Sequence, residues 1–155
     1  MNREELGKLI IANQDSLYRV AKTLLRSDDD CGDAIGEAIV KAFSRVHTLR
    51  NDGFAKTWLI RIVINECYNL LRSQSRLVPF DDGIPISADS RRDYTDLYDA
   101  LTTLPERTRL CVTLHYIEGY SVRETARIIG TTETAVKSRL FRARQLLRDE
   151  LTTEV

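Results

Sequence analysis

Apolar residues recur every three or four positions along most of the chain, the spacing that gathers them on one side of an α-helix. The clearest case runs from Cys31 to Val46, where successive apolar residues alternate steps of three and one without a break. Aspartates at 28–30 precede this run, where the helix dipole favours negative charge. Another helix begins near Phe54, after the turn-forming Asn51-Asp52-Gly53. With no strand pattern and no internal repeat, the sequence predicts an all-α fold.

The helical spacing stops between Ser73 and Arg92. This segment holds two of the three prolines in the chain, Pro79 and Pro85, together with several aspartates and serines. About twenty residues without secondary structure is long for a loop inside a compact domain, so two domains fit better than one. We therefore predict two small helical domains joined by a flexible acidic linker, with the boundaries 1–75, 76–92 and 93–155.

The net charge of zero hides an uneven distribution of charge along the chain. Residues 1–76 carry 12 basic and 10 acidic side chains, residues 77–106 carry 2 and 7, and residues 107–155 carry 9 and 6. Two mildly basic blocks thus flank an acidic middle. The local distribution therefore says more about binding partners than the total charge does.

Composition argues against membrane, disulfide-bonded and metal-binding proteins. No apolar run approaches the roughly 20 residues of a membrane span, and the N-terminus does not resemble a signal peptide, so we expect a cytoplasmic protein. The three cysteines are far apart and the two histidines are isolated. Because no nucleophile elbow, phosphate loop or metal-ligand spacing occurs, we predict no enzyme, catalytic residue, cofactor, metal or small-molecule substrate.

The last third of the chain has the organisation of a helix-turn-helix. Ser121 and Glu124 have the spacing of a capping box that starts a short helix, and Gly130 ends that helix. Ala126 is small enough for a tight helix crossing, and Val136 supplies a branched apolar contact from the second helix. The spacing alone leaves an ordinary helical hairpin open as the alternative.

The segment VKSRLFRAR, residues 136–144, separates these two interpretations. It holds four cations and no acid. At about 100° per residue, one side of this helix carries Val136, Leu140, Ala143 and Leu147, and the opposite side carries Lys137, Ser138, Phe141, Arg142 and Gln145. A merely solvated face would mix acids with bases, whereas residues 137–148 contain no acid. Cations can neutralise phosphates, and Ser, Arg and Phe can meet base edges, so we predict DNA binding in the major groove.

Both halves of the chain also resemble one known family, the bacterial sigma factors of the extracytoplasmic-function (ECF) type, within the sigma-70 family. The second half is similar to their region 4 through Leu104-Pro105, Arg109, Glu118-Gly119-Tyr120-Ser121, Glu124, Ala126, Gly130 and VKSRLFRAR. The first half is similar to their region 2 through Asp33-Ala34, Glu37, Lys41-Ala42-Phe43, Phe54, Trp58-Leu59, Arg61-Ile62, Asn65 and Leu71-Arg72. The two motifs together, in this order and at this length, are highly specific.

The resemblance implies a sigma factor, which binds core RNA polymerase and directs promoter-specific transcription initiation. The implied partners are the β′ clamp and β flap of core polymerase, promoter DNA, and an anti-sigma factor, soluble or membrane-anchored, in a stress or envelope response. The main alternative is a stand-alone helix-turn-helix regulator with an all-α effector domain. Such a regulator would bind duplex DNA without core polymerase.

The resemblance also implies three sets of site residues. The implied contacts with the −35 element are Thr132, Lys137, Ser138, Arg139, Phe141, Arg142 and Arg144. Of these, Arg139 and Arg144 fit phosphate or structural roles better than base contacts. The implied contacts with the melted −10 element are Arg50, Asn51, Phe54, Arg61, Asn65, Tyr68, Asn69 and Arg72. The implied contacts with the polymerase clamp are Asp33, Glu37 and Lys41.

Some of these assignments keep an alternative. The three clamp residues also fit a solvated face stabilised by a Glu37–Lys41 pair. Trp58 fits either a core position or a stacking platform for a base. The family often has Asp where this chain has Asn69 and an aliphatic residue where it has Thr125, so the resemblance does not imply a promoter sequence. For the linker, we hypothesise that its aspartates mimic nucleic-acid phosphates in the RNA-exit path.

Overall fold

The computed structural model describes residues 1–77 and 101–153. The chain divides into two compact units, Met1–Asp82 and Gly83–Val155. Within the described ranges every regular element is helical and no strand occurs, so the predicted all-α fold is confirmed. The acidic linker predicted at 76–92, with its two prolines, lies outside the described residues from position 78 onward.

Four α-helices and two short 3-10 turns build the described part of the first unit. The helices are α1 (Arg3–Ala12), α2 (Gln14–Leu24), α3 (Asp28–Arg45) and α4 (Ala55–Leu77), and the 3-10 turns are Val46–Thr48 and Asp52–Phe54. The start of α3 follows from local chemistry, because the Ser27 hydroxyl accepts a hydrogen bond from the Asp30 amide at 3.0 Å. The predicted turn before α4 is also present.

The core of the first unit forms where α4 packs against α2 and α3. The predicted apolar side of α3 is confirmed, with Cys31, Ala34, Ala38, Ala42 and Val46 all buried. Three of these side chains are alanines, whose small size allows a neighbouring helix to pack closely on this side. On α4, Leu59 and Val63 are completely shielded from solvent.

The described part of the second unit contains α5 (Glu106–Val112), α6 (Val122–Ile129) and α7 (Glu133–Thr153). A π-helical turn, Thr113–Ile117, continues α5. Its wider turn is visible in the hydrogen bond from the Glu118 amide to the Thr113 carbonyl five residues earlier, at 2.9 Å. The extra residue rotates Ile117 off the buried side of the helix, and 45% of its surface is exposed.

The predicted helix-turn-helix is confirmed in α6 and α7. A complete capping box starts α6: the Ser121 hydroxyl accepts from the Glu124 amide, and the Glu124 carboxylate accepts from the Ser121 amide, both at 3.0 Å. Gly130 ends α6 in the left-handed conformation, with φ of 82°. Across the turn, Ala126 and Val136 belong to one buried cluster, so the tight crossing follows from the residue sizes that the sequence provides.

Candidate nucleic-acid interface

The face of α7 that points away from the core carries the predicted DNA-contacting side chains. Val136, Leu140 and Ala143 are buried. The opposite side exposes Lys137, Ser138, Phe141, Arg142 and Gln145. The division of the helix into two faces is therefore confirmed. Phe141 is 56% exposed although it is a large apolar residue, so packing within this unit does not explain its presence.

Thr132 prepares the N-terminus of α7 for an anion. Its hydroxyl oxygen accepts a hydrogen bond from the Ala135 amide at 3.1 Å and so caps the helix. A hydroxyl can accept one hydrogen bond and donate another. The same side chain can therefore cap the helix and donate to a phosphate, where the helix dipole also favours negative charge.

Two arginines of α7 are engaged within the second unit. Arg144 is exposed, and its Nη1 donates to the Tyr116 hydroxyl at 2.7 Å. Arg139 is half-buried beside the thiol of Cys111. Burial raises the pKa of the Cys111 thiol, and the nearby guanidinium of Arg139 partly offsets that rise. These contacts favour the structural alternative for Arg139, while Arg144 keeps an exposed guanidinium.

A second polar surface runs along α4 in the first unit. Arg61, Asn65, Asn69 and Arg72 are exposed at steps of three and four, and Tyr68 is half-buried beside them. The spacing places these side chains on one side of the helix. This surface offers two cations, two amides and one phenol, which are the groups that can hold a strand backbone and read an unpaired base.

The loop before α4 extends this surface. Arg50, Asn51 and Phe54 are exposed, and Phe54 leaves 50% of its surface open to solvent. The Asn51 side-chain oxygen accepts a hydrogen bond from the Gly53 amide at 2.9 Å, so this predicted base contact also shapes its own loop. Trp58 is half-buried, a position that leaves both the core role and the stacking role open.

The outward face of α3 is acidic at the predicted clamp contacts. Asp33 and Glu37 are exposed one helical turn apart. Val40 lies beside them and is 65% exposed, a large fraction for an apolar side chain in a small helical unit. Lys41 differs from the two acids. Its ammonium reaches across the helix interface to Glu66 of α4 and does not form the Glu37–Lys41 pair that the spacing offered.

Sequence reasoning did not single out Glu66. Only 8% of this residue is exposed, and its carboxylate accepts hydrogen bonds from Lys41 and, at 3.3 Å, from the Asn69 side-chain amide. The sequence did indicate that Glu66 is buried, because Glu66 falls four residues after Ile62 on the apolar side of α4. An acid at a buried position requires a cation or hydrogen-bond donors nearby. That requirement predicts a basic partner on a neighbouring helix.

Two features, a membrane-spanning helix and a cluster of metal-ligating side chains, are absent from the described residues. No helix within 1–77 or 101–153 is both long and apolar enough to cross a membrane. The same ranges contain no cluster of three or more His, Cys, Asp or Glu side chains able to hold a metal ion.

Comparison with known proteins assigns both units to one family. Residues 9–77 match the family model of Sigma-70 region 2, and residues 94–147 match that of Sigma-70, region 4. The chain is 34% identical over 149 residues to the RNA polymerase sigma factor SigV of Bacillus subtilis, covering 94% of this chain and 90% of that protein. It is 32% identical over 150 residues to the ECF RNA polymerase sigma factor SigM of Mycobacterium tuberculosis, covering 94% and 76%.

A solved structure agrees with these sequence matches. The sigma factor RpoE of Bartonella quintana, crystallised in complex with the anti-sigma factor NepR, matches with a TM-score of 0.83 and 25% identity, over 98% of this chain and 99% of that one. Both regions of a sigma factor are matched, in the expected order, and the relatives align over almost the whole chain. These matches argue against the alternative function of a stand-alone regulator. The chain belongs to the sigma-70 family of RNA polymerase sigma factors, in its ECF group.

Proposed function

We propose that this sigma factor recognises the −35 element through the outward face of α7. The observation that carries the proposal is an acid-free helix face that exposes Lys137, Ser138, Phe141 and Arg142 on a helix held from behind by a buried apolar side. In a major groove, Arg can donate two hydrogen bonds to guanine, and the Phe ring can pack on a thymine methyl group. Lys137 adds the charge that phosphates attract.

Thr132 and Arg144 would orient α7 on the duplex. Thr132 stands at the N-terminus of the helix with a hydroxyl proton available for a phosphate. Arg144 is tied to Tyr116 and would present its remaining N–H groups to the backbone from a restrained position. Such contacts set the register of the helix and carry no base preference of their own. Arg139 is assigned to the packing of α7 on α5.

The α4 surface and the loop before it would hold the melted −10 element. Arg61 and Arg72 provide charge for the strand backbone, while Asn65 and Asn69 provide amides that can pair with the edge of an unstacked base. The exposed ring of Phe54 suits stacking on such a base. Arg50, Asn51 and Tyr68 complete this surface.

The polymerase contact is assigned to the outward face of α3. Asp33 and Glu37 would meet cations of the β′ clamp, with Val40 as an apolar contact beside them. Lys41 would support this face through its pair with Glu66. The crystallised Bartonella quintana relative binds an anti-sigma factor, and we propose that this chain is held inactive in the same general way.

Dependence on core polymerase tests this proposal against the stand-alone regulator. Transcription is measured with purified core polymerase, with and without this chain, on a library of promoter templates. We expect specific start sites only when both proteins are present. Binding of the chain alone to duplex promoter DNA, measured in parallel, should be weak and strongly salt-dependent. Failure to initiate on any template, together with tight specific binding to duplex DNA alone, would refute the sigma-factor proposal.

A further inference from the structure

The packed interface between α3 and α4 contains one buried carboxylate that belongs to no assigned surface. Glu66 is 8% exposed, and its Oε1 oxygen accepts from the ammonium of Lys41 on α3. The same oxygen accepts from the Nδ2 of Asn69 at 3.3 Å. A buried carboxylate is tolerated when donors compensate its lost hydration. Glu66 therefore links one residue from the α3 face to one residue from the α4 surface.

The link continues to the next residue on the α4 surface. The Oδ1 of Asn69 accepts a hydrogen bond from the Nη2 of Arg72. A carboxylate can only accept and a guanidinium can only donate, so the orientation of the Asn69 amide follows from its two neighbours. Its NH2 group faces Glu66 and its oxygen faces Arg72. The amide of an exposed asparagine is free to turn, whereas this one is held at both ends.

An aspartate at position 69 would break this arrangement. It has no N–H to donate to Glu66, and it would place a second carboxylate at hydrogen-bonding distance from the first. The repulsion would turn the side chain away from Glu66, so that Arg72 would no longer be anchored to the buried carboxylate. If position 66 became glutamine at the same time, its amide could turn so that the NH2 donates to the new aspartate and the oxygen accepts from Lys41. The reversed pair would again anchor Arg72.

We propose that Glu66 is a positioning residue for −10 recognition. Its carboxylate fixes the orientation of Asn69, and through it the guanidinium of Arg72, and anchors both to Lys41 on α3. The proposal rests on the proposed function, in which Asn69 and Arg72 contact the melted strand. It assigns specificity to a residue that does not itself touch DNA, and it gives Lys41 a role inside the unit.

The test is rescue of one substitution by a second. Reconstituted transcription with core polymerase measures −10 discrimination, the ratio of transcripts from the preferred template and from templates changed at one −10 position. We expect Glu66→Met, which has no acceptor for Lys41 or Asn69, and Asn69→Asp each to lower this ratio about tenfold, the effect of one misplaced hydrogen bond. Glu66→Gln keeps an acceptor oxygen and should change the ratio less, but in the Asn69→Asp background it should raise the ratio. Discrimination at the −35 element should be unchanged in all variants.

Controls separate positioning from loss of stability. Cys67→Ala removes a buried sulfur next to Glu66 without touching the hydrogen-bonded chain, and all ratios are compared at equal folded fraction. Lys41→Met, as a second route, should lower −10 discrimination like Glu66→Met. The proposal is overturned if Glu66→Met matches Cys67→Ala, or if Glu66→Gln fails to raise the ratio in the Asn69→Asp background. If Arg72→Ala leaves −10 discrimination intact, the assignment of the α4 surface itself fails, whatever Glu66 does.

Discussion

A hydroxyl group without a partner lies in the core of the helix-turn-helix. Thr125 of α6 has no exposed surface, and its Oγ1 has no hydrogen-bond partner among the described residues. A buried polar group of this kind lowers stability, because the unfolded chain hydrates it and the folded chain does not. Replacement by valine keeps the branched shape and removes the hydroxyl. We predict that Thr125→Val stabilises the second unit.

The expected gain follows from two contributions. An unsatisfied buried hydroxyl costs about 1–3 kcal/mol, and an added methyl group in an apolar site contributes about 0.8 kcal/mol. Part of this is lost if the methyl group fits less well than the oxygen did. We therefore expect the free energy of unfolding to rise by about 1–2 kcal/mol. For a domain of this size, each kcal/mol raises the Tm by roughly 4–8 °C.

Amide hydrogen exchange on peptides from α6 and α7 measures the second unit directly, because the only tryptophan, Trp58, lies in the first unit. Thr125→Ser provides one control, since it keeps the hydroxyl, loses the methyl group and should destabilise. Thr134→Val provides the other, because that position is exposed and surface changes stay within about 0.5 kcal/mol. A loss of stability in Thr125→Val would mean that the hydroxyl has a partner, and the reasoning would be wrong.

Three further predictions concern the same unit. Gly130→Ala should lower the free energy of unfolding by about 1–2 kcal/mol because Gly130 has a left-handed φ of 82°, although an added Cβ would meet no atom within 4 Å. Gly130→Asn should lower it less, and urea unfolding of the two variants compares them. The pKa of Glu124 is lowered, first by the backbone hydrogen bond from Ser121. The ionised carboxylate therefore stabilises the fold above the ordinary pKa of 4.5, and this contribution is lost as the pH falls through the lowered value. Glu124→Ala should reduce the urea midpoint at neutral pH and have no effect in strong acid, and an equal effect at both pH values would contradict this pH dependence. Leu140→Ala should cost about 2–5 kcal/mol, whereas Phe141→Ala should change thermal stability by less than about 0.5 kcal/mol; comparable losses would mean that Phe141 packs.

The helices and the turn chemistry could be predicted because they depend on nearby residues. The apolar spacing of α3, the capping box of α6 and the left-handed glycine that ends it each involve groups within a few positions of one another. The two faces of α7 follow from the same local geometry. For that reason the exposure of Phe141 was predictable before any three-dimensional information.

Contacts between helices could not be predicted from spacing. Lys41 has an acid one turn away in Glu37, yet it pairs with Glu66, which is 25 positions further along the chain. The i, i+4 rule describes an isolated helix, and the burial of Glu66 between α3 and α4 outweighs it, because a buried carboxylate needs the cation more than an exposed one does. The contact of Arg139 with Cys111 depends in the same way on the packing of α7 on α5.

The most direct test of the account is transcription with core polymerase on a library randomised at the −35 and −10 elements. Wild type is compared with Phe141→Ala, on the outward face of α7, and with Asn65→Ala, on the α4 surface. We predict specific initiation by wild type, an altered preference confined to the −35 element for Phe141→Ala, and one confined to the −10 element for Asn65→Ala. Uniform weakening on all sequences by both variants would contradict the assignment of these two surfaces to promoter reading.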